Sequence, residues 1–227
     1  MEGLEPAVIC SETETAQRFL ASAYDSVAAM FDNLETLRQL RKQQGRNIQG
    51  RLPGNEEDLL RAAILFSGAG VDASLKRLIE DALPTLLDVN ADAHQKLESF
   101  VASRVAADAA PASLARYLVA RVPREAVILD YIASLTGESL QSVEQVGKVA
   151  GALGLNERAL RQEIRELRGL FVARNEISHE LDLRQTQRQG DRSRLGRKIR
   201  TTQALTHSGL NVAQKMINAV AAALGGC

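Results

Sequence analysis

The sequence predicts an all-α protein, a bundle of long antiparallel helices with shorter helices inserted between them. Hydrophobic residues make up 45% of the 227 residues but aromatic residues only 4%, so Leu, Ala, Val and Ile must form the core. Leu and Ala have high helix propensity, and Pro, which interrupts helices, occurs only five times. Long stretches carry apolar residues at the three- and four-residue spacing of a helix, and none alternates as a half-buried strand would.

The first three helices have recognisable starting residues. The helix predicted over 11–44 opens with Ser11 and a Glu three residues later, the S-x-x-E pattern of a capping box. The helix over 55–87 follows a Pro-Gly turn and begins with an Asn, a favourable N-cap, and it has a weak point at the glycines of 68–70. A further helix over 90–101 also begins with an Asn.

Shorter elements are predicted between these helices and the last two. The section 106–154 reads as inserted short helices, which begin near Pro111 and cover about 124–135 and 139–153. A long helix from Asn156 to about 183 and a final helix over 202–224 complete the predicted fold, which we expect to be one domain over residues 1–227.

Charge and cysteine content limit the class of protein. The chain has 28 basic and 28 acidic residues, so it has no overall field that would attract nucleic acid, and such binding would need a local patch. Two cysteines near the chain ends do not form a disulfide framework. The first 15 residues contain four glutamates and no basic residue, unlike a leader sequence, and no apolar stretch has the length of a membrane span. We expect a cytoplasmic protein without membrane association.

One local basic patch exists, in a loop predicted over 184–201. It carries seven basic residues and one acidic residue. Such a run is often only a solvated loop, but it can also bind the phosphates of RNA, and both interpretations are open at this point. The candidate RNA-binding residues are Arg184, Arg188, Arg192, Arg194, Arg197, Lys198 and Arg200.

The most informative stretch lies near the end of the long helix that starts at Asn156. The apolar stripe of this helix continues within roughly 50° onto Arg174 and Ser178, and Asn175 and His179 lie one turn apart on the neighbouring flank. A polar group within a core stripe is costly unless it is paired. One explanation is function, and the other is that this end of the helix emerges into solvent.

Arg174 to His179 forms an R-N-x-x-x-H motif on a long helix of an all-α chain, which resembles the HEPN superfamily of ribonucleases and toxins. The stretch 66–79, with Asp72, Lys76 and the following Arg-Leu, resembles the D-x-x-x-K-R-L segment of the RiboL-PSP-type branch. One position departs from the HepT-type toxins, whose motif continues to a Tyr where this chain has Leu181. Regulation through that Tyr is therefore not expected.

The resemblance implies a metal-independent endoribonuclease that needs no cofactor and acts in defence or a toxin-like stress response. Family members form homodimers with a composite site, and an antitoxin or regulatory partner is possible for this class. The resemblance assigns acid–base catalysis to His179 and phosphate binding to Arg174, with Asn175 orienting either group. Asp72, Lys76 and Ser178 would form a surrounding layer that supports the catalytic residues. On an ideal helix Arg174 and His179 are ~140° apart, so a second chain or a distorted helix would be needed.

Two alternatives remain open from the sequence. The chain could be a non-catalytic HEPN-like module that binds RNA or another protein, or a plain helical scaffold. Likewise, Asp72 and Lys76, four residues apart, could form only a surface ion pair.

Overall fold

The all-α prediction is confirmed by the computed structural model, which describes residues 3–45, 52–106, 110–183 and 193–225. These residues form eight helices and no β-strand, with a single isolated bridge between Leu183 and Arg194. The helices are α1 (Ser11–Gln43), α2 (Gly54–Val89), α3 (Ala91–Ala106), α4 (Ala110–Leu118), α5 (Pro123–Thr136), α6 (Val143–Ala152), α7 (Glu157–Glu180) and α8 (Ile199–Ala223).

The four longest helices, α1, α2, α7 and α8, pack side by side. The pairs α1–α2, α2–α7 and α7–α8 are antiparallel, because residue numbers rise along one helix as they fall along the other. The helices α2 and α8 are also neighbours but run parallel, since Gly196 lies beside Glu57 and Leu210 beside Gly70. Their buried Leu, Ile, Val and Ala side chains belong to one hydrophobic cluster that also includes residues of α3, α5 and α6. Two contacts fix the direction of each antiparallel pair: Arg41–Glu56 and Gly70–Ala23 for α1 and α2, Arg61–Asp182 and Gly68–Arg174 for α2 and α7, and Leu170–Gly209 and Glu163–Lys215 for α7 and α8. Gln17 of α1 also contacts Gln214 of α8.

The predicted section of short helices is present as α4, α5 and α6 beside α3. Asp130 on α5 joins three of these helices, because it accepts a hydrogen bond from Tyr117 (2.6 Å) and pairs with Arg116 (2.7 Å) and Arg104 (3.6 Å). Burial opposes ionisation of Asp130, but the bonds from Tyr117 and Arg116 outweigh it and lower its pKa. A shared carboxylate thus links α3, α4 and α5.

Several predicted boundaries were displaced by a few residues. The N-cap of α1 is Cys10 rather than Ser11, and its backbone amide donates to the buried hydroxyl of Thr13 at 3.0 Å. The helix α2 starts at Gly54, directly after Pro53, and makes no side-chain cap, so the predicted Asn55 cap was wrong. Asn90 was predicted correctly, because its side chain accepts the amide of Ala93 at 3.0 Å. The last helix begins at Ile199 and so includes part of the predicted 184–201 loop.

The helix α2 continues through the predicted weak point at 68–70 without a break. A Cβ on Gly70 would lie 2.3 Å from the Cβ of Ala23 on α1, and one on Gly68 would lie 3.3 Å from Cγ of Arg174 on α7. These glycines therefore allow two neighbouring helices to approach α2 closely.

We expect Gly70→Ala to lower the free energy of unfolding by about 1–3 kcal/mol, because the Ala23 methyl is fixed to its backbone and cannot rotate away. Gly147→Ala is the matched control, since a Cβ at that helical glycine meets nothing within 4 Å. The control should raise stability by about 0.5–1 kcal/mol through helix propensity alone. Urea unfolding measures both, and equal shifts of the same sign would contradict the packing of α1 on α2.

Candidate active site

Arg174 is held between α7 and α2. Its aliphatic stem passes over Gly68, where the missing side chain leaves room for it. Its Nη1 donates to the side-chain oxygen of Asn175 at 3.0 Å. The residue is half-buried, so its stem is fixed while its charged end lies at the surface. This arrangement suits a cation that binds an anion from solvent.

His179 and Asn175 lie one turn apart on α7, as the sequence predicted, and both are exposed. Within the part of the chain that the structure describes, His179 makes no hydrogen bond or ion pair. Ser178 is also exposed and donates its hydroxyl to the backbone oxygen of Arg174 at 2.9 Å. The imidazole is therefore free to contact a substrate, and Ser178 acts only within its own helix.

The core stripe of α7 does not pass onto the polar residues as predicted. It continues instead through buried Leu170, Ala173 and Ile177, and Arg174 lies at its edge. On an ideal helix, a row of residues spaced by three or four positions winds slowly around the axis. Other apolar positions therefore face the core farther along α7. The polar residues therefore need no burial, and this end of α7 faces solvent on one side.

The helix is regular through Glu180, which fixes the relation between the two principal motif residues. Five residues at ~100° each leave Arg174 and His179 ~140° apart around the axis. Val172, which is 51% exposed, precedes His179 by seven residues and so lies on the same face. A second molecule that covers Val172 would therefore come against His179.

A buried ion network fixes the chain directly after the motif, and it is a feature that the sequence analysis missed. Leu181 and Asp182 both have left-handed backbone angles (φ 51° and 61°), which end α7 three residues before the predicted position. This turn places Asp182, whose side chain is fully buried, against Arg61 of α2 at 2.9 Å. Arg197 binds both carboxylate oxygens of Asp182 and also Glu176 of the motif helix, the latter at 2.8 Å.

The network extends to the start of α2 and to the segment before α8. Arg61 also bonds Asp58 (2.9 Å), Glu57 (3.2 Å) and the backbone oxygen of Leu195 (2.8 Å). Burial opposes ionisation of Asp182, yet the hydrogen bonds from the two arginines outweigh it and lower its pKa. The motif end of α7 is thus tied to α2 and α8 by charged groups that satisfy one another.

This network changes the interpretation of the basic loop. Arg197 is 14% exposed and bound to carboxylates, and Arg194 pairs with Asp58 at 2.7 Å, so neither is a free surface cation. Lys198 and Arg200 are exposed beside the start of α8. Arg184, Arg188 and Arg192 lie outside the described residues, and their predicted RNA contacts stay predictions.

A cleft of about 890 Å³ lies at the same end of the bundle, between α1, the start of α2 and the start of α8. Lys198, Arg200 and Arg38 line it together with Glu35 and Glu57. The two carboxylates pair with Arg38 and Arg61, so the unpaired charge of the described lining is positive. Arg197 also lines the cleft and connects it to the motif helix.

Asp72 and Lys76 lie one and two turns beyond Gly68 along α2, which leads away from His179 because α2 and α7 are antiparallel. They form an ion pair at 3.4 Å, and Asp72 also accepts the backbone amide of Leu140 at 2.6 Å. The described contacts of Asp72 therefore anchor the segment before α6, and the pair does not touch the motif side chains.

No protein-family model matches this chain, and no curated protein or solved structure is significantly similar to it. No helix of the described residues is long and apolar enough to cross a membrane. Among those same residues, no group of three or more His, Cys, Asp or Glu side chains is placed to hold a metal ion. The resemblance to HEPN ribonucleases therefore rests on the motif and its position in an all-α chain.

Proposed function

We propose that this protein is a metal-independent endoribonuclease of the HEPN type, in which Arg174 and His179 act on one RNA phosphate. The observation that carries the proposal is the contrast between them: Arg174 is fixed by its neighbours, and His179 on the same helix is exposed with no partner among the described residues. A role in defence or stress, an antitoxin partner and a cytoplasmic location rest on the resemblance and on composition alone.

The chemistry follows from what the two side chains can do. The imidazole of His179 accepts the proton of a ribose 2′-hydroxyl, whose oxygen attacks the adjacent phosphorus. The bond to the 5′-oxygen breaks, and that oxygen takes a proton from the imidazolium or from water. Arg174 binds the phosphate oxygens on which negative charge builds up. The products are a 2′,3′-cyclic phosphate and a 5′-hydroxyl, and the nucleophile belongs to the substrate.

A second copy of the chain completes the site in this proposal. Arg174 and His179 of one regular helix diverge by ~140° and cannot both face one phosphate. Exposed Val172 (51%) provides apolar contact area on the same face as His179. In a symmetric dimer, Arg174 of the partner would supply the cation that is missing from this face. The cleft with Lys198 and Arg200 would then guide the RNA backbone toward the site.

A DNA oligonucleotide with a single ribonucleotide tests the mechanism. In EDTA, the wild-type protein should cut only after the ribonucleotide and leave a cyclic phosphate, because only that position has a 2′-hydroxyl. The all-deoxy oligonucleotide is the control and should stay intact. If the protein binds these strands without cutting RNA of any sequence, the chain is instead a non-catalytic RNA-binding module. Loss of cutting in EDTA with recovery on adding Mg²⁺ would contradict the metal-free mechanism.

A further inference from the structure

A second cleft, of about 670 Å³, opens between α3, α5 and α6, away from the motif end of α7. Among the residues that the structure describes, its charged lining consists of Lys96, Arg104 and Lys148, without a carboxylate. Arg104 lies over the ring of Phe100 at 5.1 Å and pairs weakly with Asp130 at 3.6 Å. Lys148 is exposed and has no ion pair with any described residue. Lys148 therefore gives the cleft an unpaired positive charge.

The strongest sign of a ligand is Tyr131, which lines this cleft. The residue is only 6% exposed, and its ring packs against Phe100 with centroids 4.8 Å apart. Its hydroxyl has no hydrogen-bond partner among the described residues, whereas the equally buried Tyr117 donates to Asp130 at 2.6 Å. Burial raises the pKa of Tyr131 to about 12, so the phenol keeps its proton at neutral pH. The hydroxyl itself is not closed off from solvent, so it can donate to a group bound in the cleft.

The remaining lining groups indicate what else the ligand carries. Ser103 and Ser134 each donate the hydroxyl proton to a backbone oxygen of their own helix at 2.7 Å, so they offer lone pairs to a donor in the cleft. Phe100 and Leu135 supply an apolar wall. Gly147 also lines the cleft, and a Cβ there would meet no atom within 4 Å. The cleft thus combines anion-binding groups, acceptors for hydroxyl or amino groups and an apolar surface.

We propose that this cleft binds a small phosphate ester with hydroxyl groups and a flat ring, a nucleoside monophosphate. The phosphate lies between Lys148, Lys96 and the hydroxyl of Tyr131, the sugar or base donates to Ser103 and Ser134, and the base packs beside Phe100. The site is separate from Arg174 and His179, and its test does not depend on ribonuclease activity.

Isothermal titration calorimetry of the full chain with AMP, adenosine and inorganic phosphate tests this site. We expect AMP to bind at least about 10-fold more tightly than inorganic phosphate, and adenosine to bind about 10-fold or more weakly than AMP. Tyr131→Phe and Lys148→Ala should each weaken AMP binding about 10-fold or more. Tyr131→Phe removes a hydroxyl without a partner, so its thermal stability should not fall. Lys42→Ala, at an exposed lysine of α1, is the matched control and should bind as wild type does.

Gly147→Leu adds a side chain at a glycine that lines the cleft and where a Cβ meets no atom within 4 Å, so it should abolish AMP binding. The proposal is overturned if AMP does not bind, if Gly147→Leu binds AMP as wild type does, or if Tyr131→Phe and Lys148→Ala both leave its affinity unchanged. Equal affinity for inorganic phosphate and AMP would overturn the assignment to a nucleotide, because the ring and hydroxyl contacts would then contribute nothing.

Discussion

Mixing Arg174→Ala with His179→Ala is expected to restore ribonuclease activity that neither variant has alone. Each substitution should lower the cleavage rate by at least ~100-fold, since one removes the acid–base group and the other the cation that stabilises the phosphate. In a heterodimer, one of the two composite sites combines the intact Arg174 of one protomer with the intact His179 of its partner. The other site lacks both groups.

The recovered activity has an expected size. Random exchange of protomers makes half of the dimers mixed, and each mixed dimer has one working site of two, so about a quarter of wild-type activity should return. Two different affinity tags allow the mixed dimer to be purified and assayed by itself. His94→Ala, at another exposed histidine, should keep full activity alone. A purified mixed dimer without activity would contradict a site shared between protomers.

Asp182→Ala is expected to lower the free energy of unfolding by about 3–5 kcal/mol, because it leaves the buried guanidinium of Arg61 and that of Arg197 without their shared carboxylate. The left-handed turn that ends α7 would lose its anchor as well. Asp25→Ala, at an exposed aspartate of α1, is the control and should change stability by less than about 0.5 kcal/mol. Urea unfolding at neutral pH measures both.

The effect of Asp182→Ala should depend on pH in a defined direction. The pKa of Asp182 is lowered in the folded protein, so its stabilising effect is complete above the unfolded-state pKa of about 3.9. It is lost as the pH falls through the lower folded-state pKa. The difference in stability between wild type and variant should therefore be constant from pH 5 to 7 and shrink below about pH 4. A difference that grows on acidification would contradict the ion network.

Local signals in the sequence were enough to predict the helices. Asn90 caps its helix as predicted, since its side chain accepts the amide of Ala93 at 3.0 Å. Asn156, predicted only as the start of the long helix, accepts the amide of Arg158 in the same way at 3.1 Å. The start of α1 was displaced because its N-cap is Cys10, an unusual capping residue. The backbone amide of Cys10 donates a hydrogen bond to the hydroxyl of Thr13. At Gly68 and Gly70 the sequence indicated only a weak point of the helix, because no local pattern shows which side chains of other helices approach these glycines.

The motif was predictable from the sequence, but its surroundings were not. The one-turn spacing of Asn175 and His179 followed from helical geometry alone, whereas their exposure was left open. The pairing of Arg61 with Asp182 joins residues 121 positions apart, and no local pattern indicates it. For the same reason Arg197 was grouped with the surface cations of a basic loop, although its guanidinium is bound to Asp182 and Glu176. A run of charged residues in a sequence gives the sign of the segment's net charge, but it does not show which of those charges are paired in the folded protein.

Cleavage of a mixed RNA in EDTA by the wild-type protein and by His179→Ala tests the central claim most directly. His179 is exposed and makes no hydrogen bond or ion pair with a residue that the structure describes. The variant should therefore fold as wild type does, which circular dichroism and thermal unfolding can verify. The account predicts cyclic-phosphate products with the wild-type protein and a loss of at least ~100-fold in the variant. Equal behaviour of the two proteins, whether both cut or both are inert, would contradict it.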